Sequence, residues 1–263
     1  MLLIINIGNS NIRFGIFIKK QFNFKCYCSW IINSKPYRQL NEYVHLFINI
    51  YNKHNIIFHE IKNIVIGSVV PELTGVIKYS LYIIHKIYPI IMDRYSVSPI
   101  KHHYNQLGTD LYANAIAGYT LYKKKFKNIL IIDFGTALSL ICVDPYGIIK
   151  GIIIAPGVNS SLMALIANTS LLSNENEIEL KNPPILLGKN TIDCIQSGLI
   201  YGYLGMVEGF INRINKELKT KCLVISTGGQ SHIYSPLTKK IHYNDILHTI
   251  KGLKILFNIK YGI

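Results

Sequence analysis

A short pattern occurs twice in this chain, about half its length apart. Asn6-Ile7-Gly8-Asn9-Ser10 follows the apolar run Leu2-Leu3-Ile4-Ile5 and leads, past Asn11, into Ile12, Phe14, Ile16 and Ile18. Asp133-Phe134-Gly135-Thr136-Ala137 follows Ile129-Leu130-Ile131-Ile132 and leads into Leu138 through Val143. Each copy reads as a strand, a tight polar turn and a returning strand. The copies match in frame 127 residues apart in a chain of 263. A single repeat at that distance predicts two similar domains, since a solenoid needs at least three shorter units. No linker rich in Pro or Ser separates the halves, so the repeat places the boundary near residue 120, giving lobes 1–120 and 121–263.

Between the repeats the hydrophobic spacing alternates. Ile64-Val65-Ile66 and Ile90-Ile91-Met92 read as strands, while Arg38 to Tyr51 and Pro71 to Lys86 carry helical spacing. In the second half Lys150 to Gly157 reads as a strand, and Asn190 to Leu218 as a long helix capped by Asn190 or Thr191, with Asp193 in its first turn. Val224-Ile225-Ser226 then runs into the glycine turn Thr227-Gly228-Gly229. This order predicts an α/β fold with mixed sheets.

Composition removes other classes. With 49% hydrophobic and 16% charged residues, the chain is too apolar to stay disordered. Its apolar stretches are broken by Asp133, Lys150 and the pair His85-Lys86, well short of the roughly 20 residues a spanning helix needs. With no basic leader at its start, it is expected to be cytoplasmic, with no membrane partner. Five cysteines, Cys26, Cys28, Cys142, Cys194 and Cys222, lack zinc-site spacing and read as reduced, mostly buried thiols. The net charge of +14 rests on Lys, accompanied by 48 Ile and 23 Asn, residues with A/T-rich codons. Codon bias explains that excess without a basic binding face, and the cluster Lys123-Lys124-Lys125-Phe126-Lys127 follows an expected helix, whose solvated end favours cations, so nucleic acid is not expected as a partner.

A glycine turn between two strands gathers backbone N–H groups around one concavity, which suits a polyphosphate. One such turn also occurs in ordinary hairpins. Two matching turns and a third at Thr227-Gly228-Gly229 point instead to two lobes facing each other across a nucleotide. Asp110 reads either as a base or as the N-cap of a helix through Leu111-Tyr112-Ala113. Asp133 ends an apolar strand, where a carboxylate needs a cation or donors, or else caps the turn. Thr191 reads most simply as a helix cap.

The ordered motifs resemble those of the type III pantothenate kinases, which belong with acetate kinase, sugar kinases, Hsp70 and actin. They are Gly8-Asn9-Ser10, Gly108-Thr109-Asp110 with Asn114, Asp133 to Ala137, Gly151 through Ala155-Pro156-Gly157, Leu187 to Thr191, Gln196-Ser197-Gly198 with Tyr201-Gly202, and Thr227-Gly228-Gly229. The resemblance implies two actin-like, ribonuclease H-like lobes with a nucleotide cleft between them. It implies transfer of the ATP γ-phosphate to the 4′-hydroxyl of pantothenate, the first committed step of coenzyme A synthesis, with Mg²⁺ accompanying ATP. Carried onto this chain, Asp110 is the base; Asn6, Ile7, Gly8, Asn9, Ser10, Asn11, Ile12, Arg13 and Thr136 meet the nucleotide; Gly108, Thr109, Asp110, Leu111 and Thr191 meet pantothenate. Asp133 corresponds to an aspartate associated with potassium or ammonium, and the family is usually a homodimer.

Three positions depart from the family pattern. Asn6 stands where the first phosphate motif begins with Asp, Leu111 where Arg follows the Gly-x-Asp, and Lys101 where a tyrosine contacts pantothenate, with Tyr104 three positions later. Each removes a charge or a contact. They define the alternative reading, a catalytically degenerate nucleotide-binding regulatory protein of the same family.

Overall fold

The structure is a computed structural model that describes residues 1–20, 23–122, 128–169, 178–181 and 186–262. The lysine cluster at 123–127 lies outside the described residues. The chain divides into two compact units, Met1–Pro99 with His103–Ala117 and Thr249–Ile263, and Ile100–His102 with Gly118–His248.

The first unit holds β1 (Leu2–Ile7), β2 (Asn11–Lys20), β3 (Asn23–Asn33), β4 (Asn63–Ser68) and β5 (Ile90–Met92) in the order β3-β2-β1-β4-β5. The hairpin strands β1, β2 and β3 pair antiparallel, and β4 and β5 add parallel to β1. Helices α1 (Leu40–Lys53) and α2 (Pro71–His85) cover one face, where Tyr43, Phe47, Leu73 and Ile77 pack on Leu3, Ile5, Ile7 and Phe14. The opposite face, with Leu2 and Ile4, is buried as well. There α7 (His248–Tyr261) sets Ile250 against Gly15 and Leu253 against Gly67. A strand covered on both faces reads as an unbroken apolar run, as β1 does. Local chemistry sets the helix limits: Glu42 accepts from the Gln39 amide at 2.6 Å before α1. Pro71 opens α2, and Lys86 closes it in the left-handed region at φ 56°.

The second unit repeats this plan. β6 (Asn128–Phe134), β7 (Ala137–Val143), β8 (Ile149–Pro156), β9 (Cys222–Thr227) and β10 (Tyr243–Asn244) lie in the order β10-β9-β6-β7-β8, which is the first sheet's order strand for strand. The two hairpin pairings are antiparallel and the other two parallel, as before. Helices α4 (Val158–Ala167), α5 (Thr191–Glu217) and α6 (Ser231–Tyr234) flank it, and Leu199, Tyr203 and Val207 of α5 belong to one core with Leu130, Ile132 and Phe134. Helix α3 (Thr109–Tyr122) follows β5 in the chain as α7 follows β10. The expected hairpins, both internal strands, and the helices at 38–51, 71–86 and 190–218 are present within one to two residues at most ends. The five cysteines are free thiols, but contrary to expectation most are not buried: Cys142 and Cys222 lie in the core, Cys26 and Cys28 on the edge strand β3 are half-buried, and Cys194 is exposed. No helix among the described residues is long and apolar enough to cross a membrane.

A half-buried histidine gives the first unit an expected pH dependence. His85 Nδ1 lies 3.2 Å from the Phe58 carbonyl and Nε2 lies 3.0 Å from the Tyr51 hydroxyl. A carbonyl only accepts, so Nδ1 carries the proton and Nε2 accepts from Tyr51. Burial pushes the His85 pKa down to about 4. In the unfolded chain the same imidazole titrates near its ordinary value of about 6.5. Between these values only the unfolded state is protonated, so stability rises with pH from about 4 to about 6.5. Melting temperatures across that window should climb, and His85→Gln should flatten the climb; an unchanged slope in the variant would assign it to other groups.

Candidate functional site

In the first unit the turn between β1 and β2 is closed by the Gly8 amide donating to the Asn11 carbonyl at 3.0 Å. Ser34, at the end of β3 and fully buried, pins it from behind. Its hydroxyl donates to the Gly8 carbonyl at 2.6 Å and its amide to the Ser10 carbonyl at 2.9 Å. Asn9, Ser10 and Asn11 are left exposed. Ile7 and Ile12 are wholly buried in the core, so any contact they make with a ligand runs through the backbone. Asn6 and Arg13 are half-buried register partners on β1 and β2.

Asn6 is also in register with Gly67 on β4, and this glycine joins the turn to α3. A Cβ on Gly67 would come 3.1 Å from Thr109 Cγ2. The first residue of α3 therefore rests on the end of β4, one strand from Asn6. The Gly108 carbonyl accepts the Tyr112 amide at 3.0 Å and starts the helix, so Asp110 sits inside its first turn rather than at the cap. Its Oδ1 accepts the Leu111 amide at 2.7 Å. Burial pushes the Asp110 carboxyl above its ordinary value, outweighing the downward pull of the Leu111 and Asp110 backbone N–H groups. A carboxylate so placed is a stronger proton acceptor than one in water. The hydroxyl of Tyr112 donates to the Ser96 carbonyl at 2.9 Å and meets Ser98 Oγ at 2.7 Å, tying the 96–98 segment to α3.

In the second unit the matching turn is one residue shorter, closed by the Gly135 amide on the Ala137 carbonyl at 3.2 Å. Thr136 is exposed, and its carbonyl accepts the Gly157 amide at 3.1 Å and Ser160 Oγ at 2.8 Å. Asp133 is half-buried at the end of β6, in register with Ser139 and Thr227. Gly228 approaches it most closely. At φ +94° it occupies the region that glycine favours, and a Cβ there would collide with Asp133 Oδ1 and come within 2.6 Å of the Phe134 carbonyl carbon. The Gln230 amide then donates to the Phe134 carbonyl at 3.2 Å, locking the third glycine turn onto the second.

Thr191 opens α5, with Asn190 as its cap: Asn190 Oδ1 accepts the Asp193 amide at 2.9 Å. The backbone around Gly188 lies against this turn so tightly that a Cβ would come 2.7 Å from the Asp193 carbonyl carbon. Glu179, Lys181, Asn190, Thr191, Asp193 and Gln196 line an open hollow of about 520 Å³. Lys101 falls in the second unit, where its backbone bonds Gly147 and Ile149, and Tyr104 is exposed. The sequence reading missed Ser34, Ser160 and the residues facing Thr191 from 179–181, because no local pattern marks a residue whose partner lies tens of positions away.

Comparison with known proteins comes to one answer. Residues 2–213 match the family model described as Type III pantothenate kinase. The chain is 34% identical over 260 residues to the type III pantothenate kinase of Citrifermentans bemidjiense, covering 98% of both chains. It is 31% identical over 262 residues to that of Roseiflexus sp., covering 98% of this chain and 99% of the relative. Among solved structures, a Campylobacter jejuni protein described as a Baf family transcriptional activator matches at TM-score 0.60 and 17% identity, over 99% of this chain and all of that one. The activator of the 2-hydroxyisocaproyl-CoA dehydratase from Clostridium difficile, solved with bound ADPNP, matches at TM-score 0.50 and 12% identity, over 100% and 97%. At these identities the structural likenesses show the α/β two-lobe fold alone.

Proposed function

The chain belongs to the type III pantothenate kinase family, and we propose that it transfers the γ-phosphoryl group of ATP to the 4′-hydroxyl of pantothenate with Asp110 as the base. The observation that carries this reading is the half-buried carboxylate of Asp110 in the first turn of α3, a helix whose first residue rests on the end of β4, one strand from Asn6. An alcohol is a weak nucleophile at neutral pH, and phosphoryl transfer asks the protein mainly for positioning and for acceptance of that proton. Asn6 to Arg13 and Thr136 face the nucleotide in this reading, each repeat heading its own lobe. Mg²⁺, when bound with ATP, neutralises charge on the phosphate oxygens. Asn6 offers an amide oxygen rather than a carboxylate, and Leu111 no guanidinium, so Gly108, Thr109 and Asp110 hold the alcohol without that arginine. Thr191, a pantothenate contact in this reading, lines the hollow at the head of α5. An ADP-release assay with pantothenate as acceptor tests the reaction. Turnover supports the kinase; ATP binding without turnover supports the regulatory alternative.

Asp133 in this reading holds a monovalent cation. Its carboxylate lies against Gly228 and Gly135, which leave space where side chains would otherwise stand. Rates should therefore be high in potassium or ammonium and low in sodium alone, and equal rates in the two buffers would count against the assignment. A homodimer also belongs to the proposal. Gly198, Gly202, Gly205 and Gly209 recur at spacings of four, three and four along α5, and among the described residues, apart from the helix's own neighbouring backbone, nothing lies within 4 Å of where their Cβ atoms would be. That spacing puts them on one helix face beside exposed Met206, a surface that admits a closely packed helix of a second copy.

A further inference from the structure

We propose that Thr227 contributes its hydroxyl oxygen, alongside Asp133, to the binding of a dehydrated monovalent cation at the head of β6. The inference rests on the reading of Asp133 as a cation-holding residue and adds a ligand to it. Thr227 ends β9 and is only 1% exposed, yet its Oγ1 has no hydrogen-bond partner among the described residues. It pairs in register with Asp133 on the parallel strand β6. Register partners on adjacent strands present their side chains to one face of the sheet, with backbones roughly 4.8 Å apart, so hydroxyl and carboxylate are neighbours.

A buried hydroxyl without a partner is a standing cost that a valine of the same shape avoids, and such a group calls for an explanation. The surroundings supply one. Asp133 Oδ1 sits where Gly228 lacks a Cβ, and a Cβ on Gly135 would come 3.3 Å from the same oxygen. Thr227 is next in sequence to Gly228, so the hydroxyl, the carboxylate and the two glycines form one cluster. Its chemistry is that of oxygen lone pairs, which a cation satisfies. Burial decides which cation. Mg²⁺ gives up its waters reluctantly and keeps several when bound, so a hydroxyl shut away from solvent does not suit it. A large, weakly hydrated monovalent ion can shed its shell and take both oxygens. A triphosphate is too bulky to reach an oxygen held beneath the strand end.

The test compares the full chain with Thr227→Val and Thr227→Ser, melted without nucleotide in choline chloride and then across a potassium chloride titration. In choline the valine variant should melt at or above the parent, because the orphaned hydroxyl is gone. The parent's melting temperature should rise with potassium, the serine variant should follow it, and the valine variant should need at least about tenfold more potassium for the same rise. A valine variant that responds as the parent does overturns the proposal and leaves the Asp133 reading standing. A parent indifferent to potassium in both melting temperature and rate removes the Asp133 reading and this one with it. Loss of ATP affinity with an unchanged potassium response would assign the hydroxyl to the nucleotide and also overturn the proposal.

Discussion

Replacing Asp110 with Asn is expected to slow phosphoryl transfer by about 10²–10⁴-fold while leaving ATP affinity nearly unchanged. The amide keeps an oxygen that can accept the Leu111 N–H, now bonded to Oδ1 at 2.7 Å, so the start of α3 survives the exchange. What is lost is a group able to take a proton from an alcohol. A merely structural role predicts a different result. A side chain serving only the helix terminus is worth about 0.3–1 kcal/mol, which would appear in the melting temperature and not in the rate. Because burial raises the Asp110 pKa, the acid limb of kcat/KM should lie higher than an ordinary aspartate would give, with activity falling as the pH drops through it. A variant with the parent's rate would reduce Asp110 to a helix-terminus group.

The two halves of the fold were legible because their chemistry is local. A strand buried on both faces must be continuously apolar, and a tight turn must carry glycine or a small polar residue, so Leu2 to Ser10 and Ile129 to Ala137 announce the same hairpin in any context. Asn190 was legible for the same reason, since the amide it caps is three residues away. Asp133 stood out because a carboxylate ending an apolar strand is costly. The remainder depends on distant partners. β3 is the edge of its sheet, and its exposed side alternates Lys25, Tyr27, Ser29 and Ile31, which blurs the strand signal. Helix α7 does show helical spacing at Ile250, Leu253 and Phe257, all buried. Nothing in that spacing reveals that the last helix belongs to the first compact unit, against Gly15 and Gly67. Ser34 is likewise one serine among many until the turn it pins is in place.

Gly252 shows how much that return of α7 matters, and the sign of one substitution measures it. Glycine inside a helix costs up to about 1 kcal/mol relative to alanine, so propensity alone predicts that Gly252→Ala stabilises the protein. Packing predicts the reverse. A Cβ at Gly252 would lie 2.6 Å from the Ala113 carbonyl carbon and 3.0 Å from its Cα, and would collide with its oxygen. These are backbone atoms of α3, which cannot rotate away as a side chain could, so one helix must shift. Overpacking of this kind costs about 1–3 kcal/mol, enough to outweigh the propensity gain in all but its mildest form. The shift would also strain the buried bond from Thr249 Oγ1 to Asn114 Oδ1, now 2.8 Å and one turn along the same contact. We expect Gly252→Ala to lower the melting temperature by several degrees, at roughly 2–4 °C per kcal/mol for a chain of this size, and Gly252→Val to lower it further. Because Ala113 stands one helical turn from Asp110, kcat should fall in the same order, with pantothenate turnover more affected than ATP binding. A melting temperature that rises in the alanine variant would mean that propensity wins and that α7 does not hold α3, and with it the carboxylate, in position.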